Sequence, residues 1–208
     1  KSTLAQIAAG LIIPRHGEVA RGYSRCAFVF QEPRLLPWAT VEANVALGLS
    51  GLPVARSERR VRTAAACDRV SLEESDWQKF PSQLSGGMRQ RTALARALVA
   101  DPDFLYFDEP FTALDAALRR RMQDIVVATA SDSGKGGLFI THDLHEALRI
   151  CHRIAVLDRY GHGILDCVAV PETPGHRSEE MIFETARRLI SDHPLFAVVE
   201  EHDERRLA

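Results

Sequence analysis

Long apolar runs are missing from this chain of 208 residues. The run Leu4 to Ile13, for example, is interrupted by Gln6 and Gly10 and is shorter than the roughly 20 residues that cross a bilayer. An excess of basic residues is missing too, because 26 Lys and Arg stand against 28 Asp and Glu, mixed along the chain. This balance argues against a nucleic-acid-binding stripe. The sequence predicts a soluble protein without a nucleic-acid partner.

Cysteine patterns typical of metal sites and redox sites are also missing. The four cysteines lie far apart, without C-x-x-C spacing, so we expect reduced core residues of a cytosolic protein. An initiator Met and a signal peptide are missing as well, and the chain opens on Lys1 directly before a helical pattern. We therefore expect a chain that lacks the first part of its domain.

The pattern that is present is an alternation of short apolar runs with segments of helical periodicity. The predicted strands are 27–30, 104–107, 138–141 and 154–157. The predicted helices are 3–11, 87–100, 115–130, 143–151 and 179–190. This alternation, over a length that suits one sizeable domain, favours an α/β fold with a mainly parallel sheet and right-handed crossovers.

Two regions depart from the alternation. Between Val41 and Ser82 the pattern is helical without a strand signal, so residues about 32–100 are predicted to form a helical subdomain inserted in the core. Residues about 171–208 are predicted to form a small helical tail with a charged, frayed end at 200–206. The stretch 134–137, Gly-Lys-Gly-Gly, is expected to be a flexible turn and not a phosphate loop, because no strand precedes it.

The most specific segment runs from Leu84 to Gln90, with the letters Leu-Ser-Gly-Gly-Met-Arg-Gln, and leads into a helix rich in Arg, Ala and Leu. Free backbone N–H groups and the positive end of the helix dipole favour an anion at such a start. Ser85 adds a hydroxyl donor, and the two glycines allow close approach. The alternative is a glycine turn before an ordinary core helix.

Two adjacent carboxylates, Asp108 and Glu109, follow the apolar strand 104–107. The ends of such strands are where open α/β folds bind ligands. There, Asp108 suits a Mg²⁺ ion and Glu109 suits the orientation or polarisation of an attacking water. Without further context, a strand end with two solvated acids explains the pair equally well.

Lys1-Ser2 stands at the mouth of a helix and matches the last two letters of the phosphate-binding loop G-x-x-x-x-G-K-[ST]. His142 ends another apolar strand, where it could contact a transferring phosphate or its attacking water, although a lone His is more often structural. The other histidines lack this placement and are expected to be surface or packing residues: His145, His162 and His193.

Taken in order, these segments resemble the nucleotide-binding subunit of an ABC transporter over nearly the whole chain. Lys1-Ser2 is similar to the end of the Walker A loop and 104–109 to Walker B. Gln31 resembles the glutamine of the Q-loop. The stretch 84–90 resembles the signature motif, 113–115 the D-loop, and His142 the switch histidine. The resemblance implies a P-loop ATPase core, with the helical subdomain inserted in it, and one such domain over residues 1–208.

The resemblance also implies roles for individual residues. The implied nucleotide-binding residues are Lys1, Ser2, Thr3, Gln31, Ser85, Gly86, Gly87, Gln90 and Asp115. The implied Mg²⁺ ligands are Ser2, Gln31 and Asp108, and the implied catalytic residues are Glu109 and His142. Ser85, Gly86 and Gly87 would contact the γ-phosphate held by an opposite protomer, so that two head-to-tail subunits enclose two ATP molecules.

The segment Leu35-Leu36-Pro37-Trp38, after the Q-loop glutamine, is similar to importers of the nitrate, sulfonate and taurine group. In such importers this region abuts a transmembrane permease subunit, so Leu35, Leu36 and Trp38 are docking candidates. A loop that packs on its own helical insertion is the alternative. The resemblance places the protein peripherally on the cytoplasmic face of the plasma membrane, linked indirectly to an extracytoplasmic solute-binding protein.

The chain departs from the family pattern at its start. The adenine-stacking aromatic and the glycines of the phosphate loop would lie before Lys1, so we expect the chain as given not to bind ATP normally. Three other classes of protein are alternatives. The first is a DNA-repair or translation ATPase, which would carry a coiled-coil insertion or a second domain. The others are a P-loop small-molecule kinase and a non-hydrolysing subunit that only binds partners.

Overall fold

The computed structural model describes residues 1–131, 134–158, 161, 163–192 and 196. His162, His193 and the charged end at 200–206 lie outside the described residues. His145 is described and exposed, as predicted.

Within this part of the chain, helices and strands alternate. The helices are α1 (Ser2–Ala8), α2 (Val41–Ala46), α3 (Arg56–Arg69), α4 (Gly86–Leu98), α5 (Ala116–Ser131), α6 (Leu144–Ile150) and α7 (Glu179–Asp192). The strands are β1 (Cys26–Val29), β2 (Phe104–Asp108), β3 (Gly136–Ile140), β4 (Arg153–Leu157) and β5 (Ile164–Ala169). Helix α1 ends before the predicted Leu11, because Gly10 adopts a φ of 80° and Arg21 donates to the carbonyls of Ile7 and Ala8.

Strands β1, β2 and β3 form a parallel sheet in that order. The central strand β2 is buried from Leu105 to Asp108, as a strand covered on both faces requires. Because the strands are parallel, their carboxyl ends meet at one edge. At this edge, Phe30-Gln31 follows β1, Asp108 is the last residue of β2 and precedes Glu109, and Thr141-His142 follows β3.

The predicted fourth strand does not extend this sheet. β4 instead pairs antiparallel with β5 in a separate two-stranded sheet, so the prediction of β4 in a parallel series was wrong. The sequence analysis missed β5 because its alternating pattern is short and mixed. Val168 points towards the second core cluster, and Cys167 is exposed.

The prediction of a turn at 134–137 was also wrong in part, because Gly136 and Gly137 begin β3. Gly136 pairs with Phe104, and a Cβ on Gly136 would come within 2.6 Å of the Phe104 ring. A glycine is therefore needed for close packing at this point, and its presence gives no sign of a flexible turn.

The cysteines are only partly core residues. All four are free, but Cys26 and Cys167 are exposed. Burial raises the pKa of Cys67 to about 12 and that of Cys151 to about 11, so both thiols stay protonated at neutral pH.

From Val41 to Ser82 the structure contains helices and short 3-10 turns but no strand. Val41, Val45 and Leu49 are fully buried against α3 and α4. The subdomain limits near 32 and 100 stay a prediction. At the other end of the chain, α7 packs on α6 and buries Ile182, Ala186 and Leu189 in a second cluster.

Gly48 is a point of very close packing between the turn after α2 and helix α4. A Cβ on Gly48 would overlap the carbonyl oxygen of Arg96. We expect Gly48→Ala to lower the free energy of unfolding by about 1–3 kcal/mol, the scale of overpacking. Denaturant unfolding measures this loss. The control Gly22→Ala, where nothing lies within 4 Å of the added Cβ, should leave stability nearly unchanged, and equal stabilities of the two variants would contradict the packing account.

Candidate active site

The start of α1 lies at the carboxyl edge of the parallel sheet. The Oγ atom of Ser2 donates to Oδ1 of Asp108 at 2.9 Å, and Nζ of Lys1 donates to the carbonyl of Thr141 at 3.3 Å. Asp108 is 4 % exposed. Residues about 106 and 140 positions apart in the chain thus meet at one edge, as the three motif resemblances require.

Glu109 and His142 face each other at the same edge. Nδ1 of His142 lies 3.3 Å from Oε1 of Glu109, and both side chains are mostly buried. Glu109 has a φ of 44°, an uncommon value for a residue with a side chain, and its N–H donates to the carbonyl of Ile140 at 3.0 Å. Such backbone strain concentrates at functional sites, where the surrounding structure must hold it.

The other predicted residues near this edge have simpler surroundings. Thr3 is an exposed residue in the first turn of α1. Gln31 is exposed and follows β1 by two residues, so the structure leaves its amide accessible at the carboxyl edge.

The signature segment lies apart from these residues. Among the described residues, no hydrogen bond joins 85–87 to Lys1, Ser2 or Asp108. Ser85 is the exposed N-cap of α4, and its hydroxyl oxygen accepts from the N–H of Met88 at 3.2 Å. That bond leaves the hydroxyl proton of Ser85 available to a ligand outside the helix.

The D-loop packs directly on the signature segment. A Cβ on Gly87 would lie 3.2 Å from Leu114, and one on Gly86 would lie 3.6 Å from Ala113. Asp115 is exposed and caps α5, because its Oδ1 accepts from the N–H of Leu118 at 2.9 Å. The close packing of the two loops explains Gly87 independently of any anion, whereas the distance at Gly86 is that of an ordinary contact.

Gln90 differs from the prediction in its surroundings. It is 3 % exposed, and its amide donates to the carbonyl of Phe30 at 3.4 Å. The side chain therefore joins α4 to the residue before Gln31 and is not open to solvent. Its assignment as a nucleotide contact stays a prediction.

The loop after Gln31 is held firmly in place. Asn44 is fully buried and exchanges hydrogen bonds with both backbone groups of Leu36, and Arg96 donates to the carbonyls of Pro33 and Arg34. Leu35 packs against the main core. Trp38 in contrast is 74 % exposed, so of the three docking candidates it alone presents a large free apolar surface.

The donors at the sheet edge fit a Mg²⁺ ion bound together with a phosphate group. The described residues contain no cluster of three or more His, Cys, Asp or Glu that could hold a metal alone. The Ser2 hydroxyl and the Asp108 carboxylate already lie within hydrogen-bond distance, and both are hard oxygen ligands. Mg²⁺ commonly takes one or two such protein ligands and completes its shell with phosphates and water.

Sequence reasoning did not identify Asp143 and Glu146 as site residues, although both lie beside His142. A cleft of about 230 Å³ is lined by Glu109, His142, Asp143 and Glu146, among others. Glu146 is 8 % exposed and accepts from Nε2 of Gln123 at 3.0 Å. The available signal was the spacing of Asp143 and Glu146, which is that of a helix N-cap and its third residue.

No described helix is long and apolar enough to cross a membrane. Residues 1–112 match the sequence profile of the ABC transporter family. The fold and the site define an ATP-binding cassette, and the chain belongs to the ABC transporter family.

Within the family, the chain is similar to proteins named as aliphatic sulfonates import ATP-binding protein SsuB. It is 42 % identical to the one from Corynebacterium glutamicum over 158 residues, which are 76 % of this chain and 64 % of that protein. It is 43 % identical to one from Nocardia farcinica over 179 residues, which are 86 % of this chain and 70 % of that protein. The chain thus spans about two thirds of these relatives.

Solved ATP-binding cassettes share the fold. A cassette named MJ0796, described as dimeric, in a post-hydrolysis state and bound to ADP and Pi, has a TM-score of 0.75 and 29 % identity. The match covers 82 % of this chain and 81 % of that one. A second dimeric structure of MJ0796 gives a TM-score of 0.74.

Proposed function

We propose that this chain is the ATP-hydrolysing subunit of an importer of small solutes. The observation that carries the proposal is the meeting of Ser2 with Asp108 and of His142 with Glu109 at one sheet edge. The signature segment at 84–90 argues against a P-loop kinase, because such a kinase does not require this segment. A non-hydrolysing subunit would not need the Glu109 and His142 pair.

The side chains at this edge would bind the phosphates, hold Mg²⁺ and activate the attacking water. Lys1 and the amides at the start of α1 would bind the β- and γ-phosphates of ATP, and Thr3 and Gln31 would add contacts from either side. Ser2, Asp108 and Gln31 would hold Mg²⁺, which when bound neutralises charge on the phosphates. Glu109 would orient and polarise the attacking water, and His142 would hold Glu109 and the γ-phosphate in register.

The second half of the site would come from another copy of the chain. Ser85 is exposed and Gly86 and Gly87 are partly exposed, and no described hydrogen bond joins them to Lys1, Ser2 or Asp108 of their own subunit. A two-fold dimer in which each signature segment, with Gln90 and Asp115 behind it, faces the partner's nucleotide would complete both sites at once. The similar solved cassettes are described as dimeric, which supports this arrangement.

The solute is proposed from the relatives. The names of these relatives specify import of aliphatic sulfonates, and the resemblance of residues 35–38 includes nitrate and taurine importers. The subunit would sit on the cytoplasmic face of the membrane beneath a permease, which an extracytoplasmic binding protein supplies. Uptake of labelled alkanesulfonate, taurine and nitrate into cells expressing the complete transporter identifies the solute. ATP-independent uptake of all three, or uptake of none, would contradict the proposal.

Replacement of Trp38 tests the proposed contact with the permease. We expect Trp38→Ala to lower solute uptake by about tenfold or more, as loss of an aromatic anchor does at an interface. The ATPase activity of the isolated subunit should stay unchanged, because Trp38 is exposed and no described hydrogen bond joins it to Lys1, Ser2 or Asp108. Val61→Ala, which removes another exposed apolar side chain on α3, serves as the control. Equal uptake by the Trp38→Ala variant and the unchanged protein would exclude Trp38 from the contact.

A further inference from the structure

We propose that Gln123 and Glu146 are positioning residues of the ATPase reaction, which hold the turn 141–143 so that His142 faces Glu109. The proposal rests on the roles proposed above for His142 and Glu109. No described hydrogen bond joins Gln123 or Glu146 to Lys1, Ser2 or Asp108. Both would act through the backbone and side chains of the turn.

The pair is a buried link between two helices. Nε2 of Gln123 on α5 donates to Oε1 of Glu146 on α6 at 3.0 Å, and the two residues are 6 % and 8 % exposed. Burial raises the pKa of Glu146, and the hydrogen bonds from Thr141 and Gln123 oppose that shift. A buried carboxyl group is costly unless its hydrogen bonds are satisfied, so these two donors fix where the group lies.

From Glu146 the hydrogen bonds continue into the turn. The N–H of Glu146 donates to Oδ1 of Asp143 at 3.0 Å, and Glu146 lines the same cleft as Thr141, His142 and Asp143. The N–H of Asp143 in turn donates to Oγ1 of Thr141 at 3.0 Å. His142 lies between these two bonded residues, so a displacement of Glu146 would move the turn and His142 with it.

The same turn also meets the phosphate-binding end of the site, because the carbonyl of Thr141 accepts from Nζ of Lys1. The pair therefore connects α5, whose N-terminus is capped by the D-loop residue Asp115, to the turn that carries His142.

Mere attachment of α5 to α6 does not require a buried polar pair. Arg149 on α6 already reaches Asp124 on α5 at 2.6 Å, one residue beyond Gln123. Apolar side chains at 123 and 146 would pack the two helices at a lower desolvation cost. What the buried pair adds is a defined orientation of the turn.

The first experiment is steady-state ATP hydrolysis by the protein expressed from its complete reading frame. We expect Gln123→Leu to lower kcat about tenfold, the scale of one lost buried hydrogen bond, with little change in KM for ATP. Asp124→Asn is the matched control, because it weakens a contact between the same two helices without touching the turn, and its kcat should be unchanged. An unchanged kcat in a folded Gln123→Leu variant would overturn the proposal.

A reciprocal exchange guards against simple misfolding. In Gln123→Glu/Glu146→Gln the donor and the acceptor change places, and the residue at 146 can still accept from Thr141. We expect kcat within about threefold of the unchanged protein. An unchanged thermal unfolding midpoint would show that the double variant is folded. If its kcat were still about tenfold lower, that result would contradict the proposed link.

The His142→Ala background separates this inference from the proposed function. If Gln123 acts through His142, single-turnover hydrolysis in Gln123→Leu/His142→Ala should equal that in His142→Ala alone. A further tenfold loss would show that Gln123 acts elsewhere and would overturn the inference while leaving the role of His142 intact. If His142→Ala itself hydrolyses ATP at the normal rate, the proposed role of His142 fails, and the inference fails with it.

Discussion

Replacement of Glu109 by Gln should lower ATP turnover by about a hundredfold or more, the scale of removing one group that acts in the transition state. The amide keeps the size of the side chain but cannot accept a proton from the attacking water. ATP binding should persist, because Lys1, Ser2 and Asp108 are unchanged. Nδ1 of His142 lies 3.3 Å from Oε1 of Glu109, so the carboxylate that the variant replaces lies beside His142.

The measurement is steady-state phosphate release by the protein expressed from its complete reading frame, with nucleotide binding measured in parallel. Glu58→Gln is a suitable control, because Glu58 is a surface carboxylate on α3 paired with Arg62, and it should retain normal turnover. Turnover near the normal rate in Glu109→Gln would remove Glu109 from the catalytic role.

The backbone at Glu109 gives this prediction a structural basis. A φ of 44° is unfavourable for a residue with a Cβ, by roughly 1–3 kcal/mol. The bond from its N–H to Ile140 holds the conformation at the end of two neighbouring strands. Four other described residues with a Cβ also have a positive φ, so the catalytic role of Glu109 stays a prediction that the variant tests.

Replacement of Ser85 by Arg should abolish ATP turnover and leave ATP binding by monomers intact. The large side chain would stand at the exposed N-cap of α4, where a partner's γ-phosphate is proposed to bind. It would also remove the hydroxyl that accepts from the N–H of Met88. No described contact joins Ser85 to the residues at the Lys1 edge of its own subunit, so that edge should remain competent.

Turnover and the affinity of isolated monomers for ATP are measured together for this variant. Ser75→Arg places the same charge and bulk on an exposed 3-10 turn of the predicted subdomain and should behave like the unchanged protein. If the affinity of Ser85→Arg monomers for ATP fell as much as the turnover, Ser85 would bind the nucleotide of its own subunit, which would contradict the proposed role.

The parallel core was predictable because its signals are local. Strands β1, β2 and β3 are short apolar runs with polar residues at their ends, and parallel pairing then brings those ends to one edge. The places of Asp108, Glu109 and His142 follow from that rule. The same rule does not reveal that Ser2 contacts Asp108 or that Lys1 reaches Thr141, because these contacts depend on how α1 packs.

The features that the sequence did not predict depend on distant partners. Gly136 is a strand residue because the ring of Phe104 lies against it, and nothing within 134–137 indicates that ring. Gln90 reads as one letter of the signature motif, although its amide is bonded to Phe30, 60 residues away. Gln123 and Glu146 belong to different helices, and only their packing brings the amide to the carboxyl group.

The most direct test of the composite site is sedimentation of Glu109→Gln with and without ATP. Slow hydrolysis keeps ATP at the interface, so we expect a monomer that becomes a dimer when ATP is added. Adding Ser85→Arg to the same variant should keep it monomeric at saturating ATP. A dimer that forms equally well in the double variant, or without ATP, would contradict a site shared between two subunits.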